Sequence, residues 1–233
     1  MSDFTDAIDF IFSERDSPAG GTRVGGLGQI WELMWPHLKL SGAALGIACV
    51  IAIPLGLWLG HRGRGGFLAI NASNIGRAVP SLALIAFFVA WIGVGFANLT
   101  LALVLLAIPP ILTNTYTGVR QVDRDTVDSA RGMGMTGAQV VRRVELPLAL
   151  PLVFGGIRTS AVNVVATATI APLAGVVTLG DPIINVNTYG DEGRLAAAIV
   201  VALLAVATEV VLGTAQRAVT PRGLRVNRRE AVT

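Results

Sequence analysis

The chain has 233 residues, of which 53% are hydrophobic and 14% are charged, and its formal net charge is +3. Soluble domains carry about 25% charged residues, so this composition argues against a domain with a fully hydrated surface. Long apolar runs alternate with short basic segments along the sequence. A chain of this length cannot bury so many apolar runs in a soluble core, and the pattern indicates an all-α, polytopic membrane helical bundle.

Residues 1–39 are predicted to form an extracytoplasmic or interfacial segment. The segment is acidic at its start and lacks the basic region followed by an apolar region that marks a signal peptide. Within it, residues 27–38 carry Trp31 and Trp35, and tryptophan is typical of helices that lie at a membrane surface. We therefore expect an interfacial helix that leads into the first span.

The transmembrane domain is predicted to extend over residues 40–215. It contains five apolar runs near the roughly 20 residues that a bilayer requires, at about 40–60, 66–94, 98–119, 149–177 and 193–213. The second and fourth runs are long and the second contains Pro80, which indicates tilted, kinked or partly re-entrant segments; six spans are the alternative. In the first run, the spacings Gly42-xxx-Gly46 and Gly56-xxx-Gly60 predict close helix packing.

Residue types that carry enzymatic chemistry are scarce. Cys49 is the sole cysteine, which excludes an internal disulfide and a thiolate metal cluster. His37 and His61 are the only histidines, and because both flank apolar runs we expect them at the membrane interface. The sequence contains no Ser-His-Asp arrangement, HExxH motif or Walker lysine motif. It therefore argues against an enzyme, and we expect no catalytic residue, metal site or cofactor on this chain.

Basic residues are distributed unevenly between the two sides of the membrane. With the N-terminus outside, the inner segments hold twelve arginines, namely Arg62, Arg64, Arg120, Arg124, Arg131, Arg142, Arg143, Arg217, Arg222, Arg225, Arg228 and Arg229. The outer segments hold four basic residues, namely Arg15, Arg23, Lys39 and Arg194. The positive-inside rule therefore predicts an external N-terminus and a basic cytoplasmic tail over residues 216–233. A positive inner face accounts for the basic composition without nucleic-acid binding.

Two arginines, Arg77 and Arg158, fall within predicted spans. An intramembrane charge is a candidate functional residue, although a long side chain also reaches the interface by snorkelling. Both interpretations stay open for these residues. Glu209 is the one acidic residue within a predicted span, near its inner end.

The loop 120–148 is the longest and most basic inner segment. It contains the spacing G-x-G-x-x-G at Gly132, Gly134 and Gly137, but residues 122–131 are too charged for the buried strand that precedes a dinucleotide site. Instead, Asp123 is placed to cap a helix over 124–133 that the glycines break. Thr136 and Gln139 form a capping box for a second helix, which Pro147 is expected to end.

The same loop resembles the permease subunits of binding-protein-dependent ABC importers, which carry the pattern E-A-A-x3-G-x9-I-x-L-P. The matching positions are Asp128, Ser129, Ala130, Gly134, Val144, Leu146 and Pro147, with Asp for Glu, Ser for Ala and Val for Ile. The resemblance implies a type I ABC importer permease fold in the bacterial inner membrane. It also implies that Asp128, Ser129, Ala130 and Gly134, together with Gly132, dock a coupling helix into an ABC ATPase dimer, and that Val144, Leu146 and Pro147 join the loop to the fourth span.

Further segments are similar to the osmoprotectant branch of this family, whose members import glycine betaine, carnitine or choline. They are Ala78–Leu84, Thr113–Arg120, Ala130–Thr136 and Gly155–Thr159; Ala174–Gly180 keeps part of a glycine-rich pattern of that branch. The resemblance implies a compatible solute that a separate binding protein delivers, a second permease chain, identical or related, and ATP with Mg²⁺ on the partner ATPase. The alternative is a sister importer for amino acids or another small polar solute.

The solute pathway has several candidate residues among the polar and special positions of the spans. They are Asn71, Asn74, Arg77, Pro80, Ser81, Asn114, Tyr116 and Arg158. Polar residues in spans also serve as packing contacts between helices, and that role stays open for each of them. A stand-alone secondary transporter or channel and an integral-membrane enzyme are the competing hypotheses; the first lacks intramembrane carboxylates for ion coupling beyond Glu209, and the second lacks a catalytic arrangement.

Overall fold

The computed structural model describes residues 2–63, 66, 67, 71 and 79–220, most of which are helical. Helix α1 (Ser2–Phe12) precedes strands β1 (Glu14–Asp16) and β2 (Arg23–Gly25), which pair antiparallel. The helices that follow are α2 (Gly26–Arg62), α3 (Ser81–Ile92), α4 (Phe96–Arg120), α5 (Arg124–Gly132), α6 (Gly137–Val140), α7 (Leu146–Thr167), α8 (Asp181–Ile184) and α9 (Val186–Val219). A π-helical turn, Val141–Glu145, joins α6 to α7, and a 3-10 segment, Ala168–Ala174, follows α7.

Four of the described helical stretches are long and apolar enough to cross a membrane: Gly26–Arg62, Phe96–Arg120, Gly137–Ala174 and Val186–Val219. Helix α3 is a shorter apolar helix of 12 residues inside the predicted second span. Residues 68–70 and 72–78 of that predicted span lie outside the described part of the chain. The all-α membrane architecture is confirmed, with one small hairpin added before the first span.

Helix α2 is longer than a bilayer is thick. Its 37 residues extend about 55 Å at the helical rise, whereas the hydrocarbon core measures about 30 Å. The predicted interfacial helix 27–38 is the first part of α2 and is continuous with the first span. Trp35 is exposed on it, and the Lys39 ammonium lies 5.0 Å from the Trp35 ring centroid.

His37, which is expected at the membrane interface, is enclosed between helices. Its side chain is fully buried, and Nε2 donates to the carbonyl oxygen of Val165 at 3.0 Å. Helical spacing places His37 on the same inward face of α2 as Leu33 and Leu40, which are buried as well. Burial of an imidazole among apolar groups is costly unless its nitrogens are hydrogen-bonded, and this hydrogen bond satisfies Nε2.

The described chain divides into two compact units, the first of which comprises residues up to 45, 79–104 and 161–208. One cluster in its core joins α1 and the hairpin to the start of α9, and contains Ala7, Phe10, Val24, Tyr189 and Ala196. A second cluster joins α2 to α9, and contains Ile30, Leu33, Leu179, Val200 and Val201. The amphipathic α1 is therefore held by its buried face, with Phe4 and Phe12 left exposed on the other.

The second unit comprises residues 46–78, 105–160 and those from 209 onward. Helix α2 packs closely on α4 here: a Cβ added at Gly56 would lie 2.7 Å from Thr115 Cβ, and one at Gly60 would lie 2.7 Å from Val119 Cβ. The packing predicted for this glycine pair is confirmed. Around Gly42 and Gly46, in contrast, no described atom lies within 4 Å of an added Cβ.

Candidate functional site

The loop 120–148 begins with a capped helix. The Asp123 carboxylate accepts a hydrogen bond from the Asp125 N–H at 3.4 Å and another from the Thr126 hydroxyl at 3.3 Å. A carboxylate at this position satisfies free N–H groups and complements the positive end of the helix dipole. The predicted N-cap is confirmed, and α5 ends at Gly132, one residue before the expected Met133.

The bend after α5 is made by Gly134. Its φ is +84°, and the N–H groups of Met133, Gly134 and Met135 donate to Ser129, Arg131 and Ala130 at 3.0, 2.9 and 3.2 Å. Gly132 is the last residue of α5 and has no positive φ. The prediction that both glycines supply the bend is therefore right for Gly134 and wrong for Gly132. Gly132 is still helical, and the chain turns two residues later.

The second helix of the loop has the predicted capping box. The Gln139 N–H donates to Thr136 Oγ1 at 3.4 Å, and the Thr136 N–H donates to Gln139 Oε1 at 2.8 Å. The expectation that Pro147 ends this helix is wrong, because α6, the π-helical turn and α7 are continuous. Pro147 has no N–H and its ring crowds the carbonyl four residues earlier. The wider π turn, in which the Leu146 N–H bonds the Val141 carbonyl, accommodates the proline without a break.

The loop has its own small core and one solvent-exposed face. Val127, Ala130 and Val140 are buried together, with Val122, Met135 and Val144 packed against them. The Asp128 side chain is 71% exposed, and Ser129 and Met133 are exposed too. Of the predicted docking residues, the structure thus places Asp128 and Ser129 on the exposed face and Ala130 inside the loop core. Leu146 and Pro147 are half-buried at the start of α7.

A hydrogen bond between His61 and Glu145 ties the end of α2 to the end of the loop. His61 Nδ1 lies 2.8 Å from Glu145 Oε2 and 3.0 Å from Oε1, and Glu145 is 4% exposed. Because an ionised carboxylate only accepts hydrogen bonds, Nδ1 carries the proton. Sequence reasoning missed this pair, since the two residues are 84 positions apart and no local pattern links them.

Arg158 has a carboxylate partner within the helices. Its guanidinium pairs with Glu209 of α9 and donates to Gln216 Oε1 at 2.6 Å. Gln216 in turn donates to the Pro151 carbonyl at 2.7 Å. Gly213 of α9 lies next to the guanidinium, and a Cβ added there would make an ordinary van der Waals contact with its carbon at 3.6 Å. Arg77, which is predicted at a similar depth, lies outside the described residues.

Most other predicted pathway residues contact neighbouring helices or backbone. Asn114 Nδ2 donates to the Pro110 carbonyl at 2.8 Å, and Asn114 Cβ would lie 2.9 Å from a Cβ added at Gly156. The Tyr116 hydroxyl packs against Gly66, where an added Cβ would lie only 2.6 Å from it. Asn71 Nδ2 donates to the Phe67 carbonyl at 2.8 Å. These contacts fit the packing interpretation.

The remaining pathway candidates lie at the start of α3. Pro80 is the residue before that helix and is exposed, and Ser81 begins the helix and is half-buried. Proline fixes φ and needs no N–H partner, so it suits this position. Asn74, the last candidate, lies outside the described residues. The assignment of these residues to a solute pathway stays a prediction.

The segment that follows α7 forms a tight turn. Gly175 has φ +74°, the Thr178 hydroxyl donates to the Ala168 carbonyl at 2.9 Å, and an added Cβ at Gly180 would collide with the Thr169 carbonyl oxygen. Both glycines of Ala174–Gly180 are thus required, Gly175 by its backbone conformation and Gly180 by a close approach.

A family model described as binding-protein-dependent transport system inner membrane component matches residues 52–225. The glycine betaine/carnitine/choline transport system permease protein OpuCB of Bacillus subtilis is 40% identical, over 81% of this chain and 87% of that protein. The choline transport system permease protein OpuBB of Bacillus subtilis is 39% identical, over 84% of this chain and 91% of that protein. The carnitine transport permease protein OpuCB of Listeria monocytogenes is 39% identical, over 82% of this chain and 88% of that protein.

Solved structures share the fold. An inward-facing conformation of the MetNI methionine ABC transporter superposes with a TM-score of 0.71 at 21% identity, and covers 84% of this chain and 98% of that chain. An amino acid ABC transporter superposes with a TM-score of 0.63 at 17% identity, and covers 82% of this chain and 94% of that chain. At these identities, the likeness concerns the fold alone.

Proposed function

The chain belongs to the family of binding-protein-dependent transport system inner membrane components, and we propose that it carries a quaternary ammonium compatible solute across the membrane. The resemblance found in the loop 120–148 is confirmed by this membership, and the fold is that of type I ABC importer permeases. The chain is a transport permease subunit, an inner-membrane component with several apolar helices.

The proposed solute class rests on the relatives. Three proteins 39–40% identical over more than four fifths of this chain are named for glycine betaine, carnitine or choline transport. An osmoprotectant import permease of Salmonella typhimurium, 32% identical over 85% of this chain, points to the same class. The methionine and amino acid transporters resemble it in fold only. We therefore favour a compatible solute such as glycine betaine, choline or carnitine over an amino acid.

The loop is proposed to dock into a separate ATPase dimer that binds ATP and Mg²⁺. The observation that carries this proposal is the exposed face of α5, with Asp128 and Ser129, next to the Gly134 bend. Because α6 runs without a break into the fourth span, a movement of the loop is transmitted directly to α7. ATP binding and hydrolysis on the ATPase would then alternate the spans between inward-open and outward-open states.

A second permease chain and an extracytoplasmic binding protein complete the proposed complex. The positive-inside rule supports an external N-terminus, since the loop and the C-terminal tail carry most of the arginines. On this orientation, α1 and the hairpin face the binding protein. The chain itself is expected to bind no cofactor.

Uptake of radiolabelled solute tests the proposal. The complete complex, reconstituted with its ATPase and binding protein, is expected to accumulate glycine betaine, choline or carnitine only with ATP. A matched complex that carries Gly134→Asp should assemble its spans in the membrane and accumulate none. ATP-driven accumulation of an amino acid, with none of the three quaternary ammonium solutes, would contradict the proposed solute class.

A further inference from the structure

A basic cleft lies at the junction of the second unit's helix ends and the loop. It has a volume of about 410 Å³ and is lined by the ends of α2 and α4 and by one face of α5. Four arginines line it, namely Arg62, Arg120, Arg124 and Arg131. The acidic groups in its wall are Asp128 and Glu145, so two positive charges remain in excess when His61 is neutral. The size suits a small polar group.

Internal partners neutralise only part of this charge. Glu145 is paired with His61 at 2.8 Å, and Asp128 lies 3.7 Å from Arg131. Among the residues that the structure describes, Arg120 and Arg124 have no carboxylate partner. Two unpaired guanidinium groups in one concave wall attract an anion, and their planar N–H groups match the oxygens of a phosphate.

The cleft adjoins an exposed apolar side of α2, because Arg62 belongs to both. Ile51, Leu55 and Trp58 are 45%, 41% and 50% exposed, and with Arg62 they follow one another at intervals of four, three and four residues. They therefore form a single stripe along the helix, which ends at the cleft. Arg62 lies over the Trp58 ring, 4.6 Å from its centroid. Tryptophan and arginine together at a helix end are typical of the headgroup level of a bilayer.

We propose that this basic cleft binds the phosphate group of an anionic membrane lipid. The acyl chains lie along the stripe of Ile51, Leu55 and Trp58, and the phosphate reaches Arg120 and Arg124. Basic pockets between helices on the cytoplasmic side of a membrane recognise phosphate headgroups through this chemistry. The inference needs only the membrane location of the chain and is independent of the transported solute. A carboxylate of the ATPase and free phosphate are the competing occupants.

The test uses the purified full-length complex and phosphatidylglycerol as the probe, with phosphatidylcholine as the neutral reference. Native mass spectrometry gives the affinity of each lipid during titration. Each arginine removed should lower the phosphatidylglycerol affinity roughly fivefold, which corresponds to about 1 kcal/mol per basic side chain at an anionic surface. The variant Arg120→Gln/Arg124→Gln should therefore bind it roughly 25-fold more weakly. The matched control is Arg142→Gln/Arg143→Gln, two exposed arginines of the same loop outside the cleft, which should retain the affinity.

Each other outcome overturns the inference. Equal losses in both double variants would show only general attraction to a basic surface. Displacement of phosphatidylglycerol by inorganic phosphate at equal concentration would make the cleft a free-anion site. The variant Arg120→Gln/Arg124→Gln could also bind the lipid normally and lose the ATPase, while the control variant keeps it. That result would assign the cleft to the ATPase.

A measurement without substitutions keeps the test decisive if that variant fails to assemble. The unsubstituted complex must prefer phosphatidylglycerol over phosphatidylcholine, and equal affinities would overturn the inference. Failure of betaine uptake with intact phosphatidylglycerol binding would contradict the proposed solute and leave the lipid site standing.

Discussion

Arg158 of α7 and Glu209 of α9 form an ion pair between two membrane-spanning helices, with Gln216 as a further acceptor for the same guanidinium. The two residues are 51 positions apart in sequence. Charged groups are costly in a bilayer unless they are paired, so this contact explains why both charges are tolerated in apolar helices. It also fixes which faces of α7 and α9 meet within the second unit.

Breaking this pair should weaken the contact between α7 and α9. Glu209→Gln leaves the Arg158 guanidinium without a countercharge, and Arg158→Gln leaves the carboxylate without one. We expect each single variant to melt at a lower temperature in detergent than the unsubstituted protein. The reversed pair Arg158→Glu/Glu209→Arg should recover part of the loss, because it restores opposite charges at the same two positions. A reversed pair that is less stable than both single variants would show that the pairing does not stabilise the helices.

The two loop glycines should respond differently to the same small side chain. Gly134→Ala places a Cβ on a residue with φ +84°, which costs roughly 1–2 kcal/mol. Gly132→Ala changes a helical residue with open space around it, which stabilises a helix by roughly 0.5–1 kcal/mol. ATP-driven uptake and co-purification of the ATPase should fall for Gly134→Ala and hold for Gly132→Ala. Equal effects in the two variants would contradict the assignment of the bend to Gly134.

Local patterns in the loop were predictable, and distant contacts were not. Asp123, Thr136 and Gln139 cap helices through hydrogen bonds to residues two or three positions away, so the sequence alone identifies them. The sequence wrongly predicts that Pro147 ends the second helix. The π turn that accommodates this proline depends on how the loop joins the span, which no local pattern shows.

Contacts between helices far apart in sequence have no local pattern. His61 and Glu145 meet only because the end of α2 lies beside the start of α7 in the second unit. His37 is buried because one face of α2 packs inward. Four of the five apolar runs fall on described helices long enough to cross a membrane, since hydropathy over about 20 residues is a property of the segment itself. Residue 40, the predicted start of the first span, lies inside α2, which begins at Gly26.

The two glycine pairs of α2 give a matched test of helix packing. Gly56→Ala adds a Cβ 2.7 Å from the Cβ of Thr115, and such overpacking costs roughly 1–3 kcal/mol. Gly42→Ala adds the same group where no described atom lies within 4 Å. Thermal unfolding in detergent should show a lower midpoint for Gly56→Ala and little change for Gly42→Ala. A larger loss for Gly42→Ala would mean that a second chain or another element packs at that face.

Reporter fusions test the proposed orientation. A cytoplasmic reporter joined after Val122, in the basic loop, should be active, and one joined after Gly190, before the main part of α9, should be inactive. An external reporter should give the opposite result at both positions. The arginine distribution predicts this pattern. A cytoplasmic signal at Gly190 would overturn the orientation or the number of spans.

Glu145 and His61 provide the last prediction, because they connect the end of α2 to the π turn through which the loop enters α7. Glu145→Leu removes both hydrogen bonds to a His61 ring that is already largely enclosed, and an unpaired buried donor costs roughly 1–3 kcal/mol. Glu145→Gln keeps an acceptor oxygen at nearly the same place. We expect Glu145→Leu to lower ATP-driven uptake more than Glu145→Gln, while both variants insert into the membrane in normal amounts. His61→Leu combined with Glu145→Leu should recover part of the loss, because it replaces both partners by apolar groups. Equal uptake in all four proteins, including the unsubstituted one, would show that this pair has no part in transmitting movement from the loop to the fourth span.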